Sequence, residues 1–229
     1  RVATLDVLSN GRCEFGAGRG TASYVVEGLG FNADPAHSRS VQRDALKAVV
    51  EMMDNEYFPG YKSEHFDLPA RHVLPRVVQR PHPPLWYAAS NLETFERAGA
   101  DGVGVLGVTR YTPEEVKPHV DAYRAAVRSA TPVGRFVNNH VGAFAVGAVH
   151  DDNATGKKLG CAAARYYYGD NDAELNKVRF GSSEGVAAIK TRMASYSDDD
   201  MIPAGMAIGG DADAVCRQVE RWAQAGLDQ

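Results

Sequence analysis

The sequence predicts an α/β fold built on parallel strands, and three observations predict it. Pro84-Leu85-Trp86-Tyr87-Ala88-Ala89, Gly102-Val103-Gly104-Val105-Leu106-Gly107 and residues 140–149 are short, nearly continuous apolar runs. Strands of that composition are buried on both faces, as in parallel sheets covered by helices. Helix-like segments with clear start signals or amphipathic spacing alternate with these runs. Such alternation fits a barrel or an open doubly wound sheet.

The elements follow in order. Val2, Leu5 and Leu8 lie three apart, the spacing of one helical face, with no capping residue ahead of them. The chain opens on Arg1, so we read it as an excerpt of a longer protein. Residues 12–16 are short and extended and lead into Gly16-Ala17-Gly18-Arg19-Gly20. Residues 40–54 form an amphipathic helix with Val41, Ala45, Val49 and Met52 on one stripe. After the strand at 84–89, Ser90 starts a helix as N-cap, with Glu93 as its reciprocal partner in an S-x-x-E box. Thr112, Pro113 and Glu115 mark another helix start, and Val116, Val120, Tyr123 and Val127 continue its apolar face. Pro118 should bend it. Residues 140–149 read as one long strand. Residues 151–205 are less regular and read as an insertion or mobile loop region. A closing helix begins near Asp211, carries Val215, Val219 and Trp222, and stops at Gly226.

The composition narrows the function classes. A chain of 229 residues, 44% hydrophobic, suits one domain over 1–229 with a sizeable core. The net charge of -4 is mixed along the chain, which argues against nucleic-acid and membrane-surface binding. No apolar run approaches the roughly 18 residues of a spanning helix, and the N-terminus does not read as a signal peptide. Cys13, Cys161 and Cys216 suggest no disulfide framework, and a cytoplasmic location is the simplest reading.

Two strand ends carry chemistry. At Phe15-Gly16-Ala17-Gly18-Arg19-Gly20, glycines let a bulky ligand approach the backbone and Arg19 offers a planar cation suited to phosphate. The same residues also read as a tight turn with a solvated arginine. A dinucleotide fingerprint is rejected, because its third glycine position holds Thr21 and residues 22–31 lack a packed helical pattern. At the second strand end, the first-turn amides of the helix after Ser90 favour an anion. An ordinary helix cap is the simpler reading of that site alone. His37, His65, His72, His82, His119, His140 and His150 have no metal-ligand spacing. His82 reads as structural or exposed, and His140 opens a strand where it can face a pocket. Asp198-Asp199-Asp200 reads as a solvated turn rather than a metal site. No G-x-S-x-G elbow is present. Tyr166-Tyr167-Tyr168 and Phe180 read equally as an apolar cover over a site or as a surface insertion packing its own tyrosines.

Leu8-Ser9-Asn10-Gly11-Arg12 with Phe15-Gly16-Ala17-Gly18-Arg19-Gly20 resembles the "LS-x-GR … G-x-GRG" segment of luciferase-like flavin monooxygenases. The run from Val73 through Gln79-Arg80-Pro81-His82-Pro83-Pro84-Leu85-Trp86, followed by Ala88-Ala89-Ser90, resembles that family's approach to its next strand and the strand's end. Ile208-Gly209-Gly210 and Ala225-Gly226-Leu227-Asp228-Gln229 resemble its "IG-[TS]" and "AG-x-DQ" motifs. The matches run through the chain in the family's order.

The resemblance implies a (β/α)8 TIM barrel of the bacterial-luciferase type, incomplete in this chain. Residues 12–16, 84–89, 102–107 and 140–149 would be its strands four to seven, and residues 1–11 the helix before them. It implies reduced FMN at the strand ends. Arg19, Ser90 and the amides of Asn91 and Leu92 would hold the phosphate. Gly18 would border the flavin, and Leu106 and Gly107 would line its ring. Glu93 replaces a hydroxyl-bearing ligand of some relatives and is assigned to capping. The family's usual catalytic histidine would precede this chain, so no catalytic residue is named. The implied activity is oxygenation of an organic substrate, such as an aldehyde or other carbonyl compound, by reduced FMN and O2. An NAD(P)H:flavin reductase and a second copy in a homodimer are the implied partners. Hydride transfer with F420 and flavin binding without catalysis are the alternatives. A fourth reading is an inert fragment, since four parallel strands cannot close a barrel.

Overall fold

The structure is a computed structural model that describes residues 1–19, 27–32, 34–108, 111–168 and 183–229. Gly20, Thr21 and Phe180 lie outside the described residues. The chain packs as two compact units. The first holds Arg1–Arg19, Asn32–Leu106 and Ala122–His140, and the second holds the rest.

The first unit begins with α1 (Val2–Leu8) and β1 (Phe15–Ala17), then α2 (Pro35–Asp54). A hairpin of β2 (Tyr61–Lys62) and β3 (Asp67–Leu68) precedes β4 (Leu85–Ala89) and α3 (Leu92–Ala100). β5 (Gly104–Val108) and α4 (Pro113–Val127) each straddle the boundary between the units. β4 lies between β1 and β5. β1 and β4 run parallel, with Phe15 opposite Leu85 and Ala17 opposite Tyr87. The strand expected at 12–16 therefore starts later, at Phe15, where its amide reaches the Pro84 carbonyl at 2.8 Å.

α2 starts at Pro35 rather than at residue 40. Asp34 accepts a hydrogen bond from the His37 amide at 2.7 Å, and Pro35 occupies the first turn. Its buried stripe is Leu46, Val50 and Met53, one residue round from the expected stripe, whose members are half-buried. In α1, Leu5 and Leu8 are exposed, and the buried residue is Asp6. Asp6 accepts from the Val78 amide (2.6 Å), the Gln79 amide (3.0 Å) and Gln79 Nε2 (2.7 Å). Burial pushes this carboxyl up, but those bonds outweigh it and hold it below the usual carboxylate range. The Q-R-P-H segment is thus tied to α1. His82 is buried and structural. Its Nδ1 lies 2.8 Å from the Pro83 carbonyl, its Nε2 lies 2.8 Å from the Arg135 amide, and its ring stacks on Phe136. Burial, opposed by the Pro83 contact, lowers its pKa.

The second unit contains β6 (Val141–Phe144), β7 (Gly147–Val149), α5 (Asn153–Tyr168), α6 (Ser183–Ala194), α7 (Asp198–Ala204), β8 (Ile208–Gly210) and α8 (Ala212–Gln224). The single strand expected over 140–149 is two strands, because the chain changes partner between Phe144 and Gly147. Val141 and Ala143 bond the terminal residues: Asp228 N donates to Val141 O at 2.8 Å and Ala143 N to Gln229 O at 3.0 Å. β7 instead pairs in parallel with β8, Gly147 opposite Ile208. β8 adds a parallel strand beyond the four that were expected.

Among the described residues of 151–205, three stretches are helical, α5, α6 and α7. Cys161, Ala164 and Tyr168 pack with Met193, Met201, Met206 and Ala207. α5 lies so close to β8 that a Cβ at Gly156 or Gly160 would sit 2.3 Å from the carbonyl oxygen of Gly210 or Ile208. Asp198-Asp199-Asp200 is the first turn of α7, capped by Ser197, where acidic residues complement the helix dipole. The Thr112 capping box forms as read, with Thr112 N on Glu115 Oε2 at 2.7 Å and Glu115 N on Thr112 Oγ1 at 3.3 Å. Asp211 caps α8, and Gly226 adopts φ +98° just past its end. No helix among the described residues is long and apolar enough to cross a membrane.

Candidate functional site

The site grows from the C-terminal ends of β1 and β4. The strands are parallel and in register, so Gly18-Arg19 and Ser90-Asn91-Leu92 leave the sheet at the same end. Parallel α/β folds carry their chemistry at that end. Ser90, Asn91 and Leu92 are all exposed there. The helix cap is Asn91 rather than Ser90. Its side chain accepts from Thr94 N at 3.0 Å and Thr94 Oγ1 at 2.8 Å. Glu93 does not reach back to close a box, and pairs with Arg39 at 3.4 Å. The cap residue sits in extended backbone, which leaves the first amides of α3 at the strand end.

Arg19 is half-buried and donates from Nη1 to Ser38 Oγ on α2 at 3.0 Å. Burial lowers its pKa, and Arg97 and Arg39 lower it further, against the pull of Glu93. A guanidinium whose charged form is disfavoured by cationic neighbours is relieved when an anion arrives.

The alternation of the strands sorts their faces. Leu85, Tyr87 and Ala89 are buried, and the Tyr87 ring lies under the Arg97 guanidinium of α3, 4.8 Å away. The other face carries Trp86 and the exposed Ala88, with Gly16 beside Trp86 on β1. On β5, a Cβ at Gly104 would strike the Trp86 ring at 2.8 Å, so Gly104 shares this face. The two-residue period brings Leu106, 43% exposed, to the same side. A Cβ built at Gly16 or Gly18 would meet no described residue within 4 Å. Gly16, Gly18 and Ala88 thus form an open strip at the strand end, with Trp86 beside Gly16 and Leu106 on the same side of β5. Gly107 is buried and falls on the opposite face from Leu106. His140 sets its ring edge-on to Trp86, with centroids 5.5 Å apart.

Sequence reasoning missed the layer behind the strip. Arg97 Nη2 donates to Gln42 Oε1 at 3.0 Å, and Gln42 Nε2 donates to the Ala17 carbonyl at 2.8 Å. Tyr87 Oη donates to Asp101, whose other oxygen takes Arg43 at 2.7 Å. Burial, reinforced by Asp101, pushes the Tyr87 hydroxyl up, so it stays a donor. Arg97 Nε and Nη1 are buried with no hydrogen-bond partner among the described residues. Only its spacing hinted at a role: Arg97 stands one turn after Glu93 and beside the buried Ala98.

An open strip of glycine and alanine, next to Arg19 and Arg97, which have no carboxylate partner among the described residues, fits a planar group that carries a phosphate. No group of three or more His, Cys, Asp or Glu among the described residues could hold a metal ion. Of the predicted cover residues, Tyr166 is exposed, Tyr167 packs edge-on to Phe144, and Tyr168 belongs to the core of the second unit.

Comparison with known proteins bears on this site. The oxygenase component of the flavin-dependent trigonelline monooxygenase of Acinetobacter baylyi is 28% identical over 104 residues, covering 45% of this chain and 28% of that protein. An F420-dependent secondary alcohol dehydrogenase, solved with an F420-acetone adduct, superposes with a TM-score of 0.71 at 16% identity, covering 99% of this chain and 65% of that one. The oxygenating constituent of 3,6-diketocamphane monooxygenase from Pseudomonas putida, solved with FMN, gives a TM-score of 0.67 at 15% identity, with coverage of 99% and 65%. The aligned regions span under a third of the curated relatives' lengths, and the chain spans less than two thirds of the solved ones. The family model for luciferase-like monooxygenases matches residues 1–229. The chain belongs to the luciferase-like monooxygenase family.

Proposed function

We propose that this protein is a flavin-dependent oxidoreductase that binds FMN at the β1 and β4 ends and works as a monooxygenase. Arg19, the Ser90 hydroxyl and the amides of Asn91 and Leu92 hold the phosphate. The strip of Gly16, Gly18 and Ala88 takes the ring, with Leu106 along its edge and Gly107 contributing backbone only. Bound in its reduced state, FMN supplies the electrons that activate O2 toward an organic substrate such as an aldehyde or other carbonyl compound. The chain's own residues bind, orient and shield. Arg19 fixes the phosphate end, the strip lets the ring lie against backbone, and Trp86, beside Gly16, keeps water from it. The carrying observation is the convergence of an undercompensated arginine cluster and an open glycine–alanine strip at one strand end.

The trigonelline enzyme is named as an oxygenase component. That name supports a separate partner, an NAD(P)H:flavin reductase, as the source of reduced flavin here. A homodimer is the corresponding proposal for assembly.

F420-dependent hydride transfer is the second reading, favoured by the likeness to the F420-dependent dehydrogenase. Fluorescence titration with FMN, riboflavin and F420, followed by oxygen uptake with the reduced cofactor, tests the pair. Tightest binding of FMN, with substrate-dependent oxygen uptake, supports the monooxygenase. F420 preference without oxygen uptake replaces it with hydride transfer. Tight FMN binding without turnover of any carbonyl substrate leaves a flavin-binding protein.

A further inference from the structure

We propose that Arg97 is a specificity-determining residue that makes this site select a doubly charged phosphate monoester over a singly charged ester of the same shape. The inference rests on the proposed phosphate site at Arg19 and names a second cation behind it.

The charges can be matched one by one. Arg39 is answered by Glu93 at 3.4 Å. Arg43 is answered by Asp101 at 2.7 Å. Among the described residues, Arg19 has only the neutral Ser38 hydroxyl, and Arg97 has only the neutral Gln42 amide and the face of the Tyr87 ring, while its Nε and Nη1 are buried and unpartnered. Two positive charges therefore stand uncompensated by a carboxylate among the described residues. A buried guanidinium without an anion is costly, and a nearby anion relieves it. A phosphate monoester carries close to two negative charges above about pH 7, and a phosphodiester or sulfate ester carries one.

Arg97 is joined to the site through its frame. The Gln42 that accepts from Arg97 also donates to the carbonyl of Ala17, two residues before Arg19. Arg97 Nε and Nη1 have almost no accessible surface, so the residue acts on the ligand through its field and through this frame. At an effective dielectric constant of about 40, between that of a protein surface and that of water, one added unit charge roughly 8 Å from an anion changes binding by about fivefold. That field scales with ligand charge, so it separates a dianion from a monoanion and leaves a neutral ligand untouched.

The test is fluorescence titration at pH 8 with FMN, riboflavin 5′-sulfate and riboflavin, which share one ring and ribityl chain and carry about two, one and zero charges. The variants are Arg97→Gln, Arg97→Lys and Arg19→Ala. The wild type should bind FMN about tenfold more tightly than the sulfate. Arg97→Gln should narrow that ratio about fivefold and leave riboflavin binding in place, while Arg97→Lys keeps the ratio. Should Arg97→Gln fail to fold, Arg97→Met keeps the stem over Tyr87 and takes its place. A wild-type ratio near one overturns the proposal, as does an unchanged ratio in the charge-free variant. Equal weakening of all three ligands assigns Arg97 to the scaffold and also overturns it. Arg19→Ala reports separately: if it leaves the FMN preference over riboflavin unchanged, the phosphate site itself is misplaced.

Discussion

Arg19 is half-buried, bonded to a neutral hydroxyl and crowded by other guanidinium groups. A charge-assisted bond to a phosphate is worth roughly 1.5–3 kcal/mol. Arg19→Ala should therefore weaken FMN binding by about tenfold to a hundredfold and change riboflavin binding by less than about twofold, measured by flavin fluorescence. Asp6 shows a different use of charge. Its carboxylate satisfies two amides and the Gln79 side chain, so Asp6→Ala should cost about 2 kcal/mol of stability in a urea titration. Its folded pKa lies below the usual value of 3.8. The contribution is therefore complete above that value and is lost as the pH falls through the folded pKa. The stability gap between wild type and Asp6→Ala should close below about pH 4. Arg19, Ser90, Asn91 and Leu92 were legible in the sequence as motif positions at strand ends. Arg97, Gln42 and Arg39 were not, because their roles come from packing α2 and α3 against strands far from them in sequence. The cap shows a local ambiguity of the same kind. Ser90 and Asn91 are both good caps, and the Thr94 hydroxyl tips the choice to Asn91.

At the scale of elements, glycine has opposite meanings in two places. Gly160 is where α5 touches β8, and an added Cβ would meet the Ile208 carbonyl at 2.3 Å. Backbone cannot step aside, so Gly160→Ala should destabilise the protein by about 2 kcal/mol or more, read as a lowered urea midpoint. Among the described residues, Gly18 faces open space. Gly18→Val should leave the midpoint within about 0.5 kcal/mol of wild type and should obstruct the strip, lowering affinity for FMN and riboflavin alike. A loss of stability on Gly18→Val would contradict this division. The start of α2 is legible in Asp34-Pro35, although its apolar stripe begins later. The division of residues 140–149 was not readable. The run is apolar throughout, and its break comes from a change of partner, from residues 228–229 to β8.

The α/β class was legible at the level of the whole molecule, since apolar runs alternating with capped helices leave few other folds. The helices among the described residues of 151–205 were hidden by weak patterns, and the glycines of α5 make sense only against β8. The proposed function turns on the β1 and β4 ends forming an anion-anchored flavin site. Comparing the FMN and riboflavin dissociation constants of the wild-type chain by fluorescence titration tests it most directly. FMN should bind tighter by about tenfold or more at low salt, with the advantage shrinking as salt is raised. Equal affinities, or binding of neither flavin by a folded sample, would contradict it.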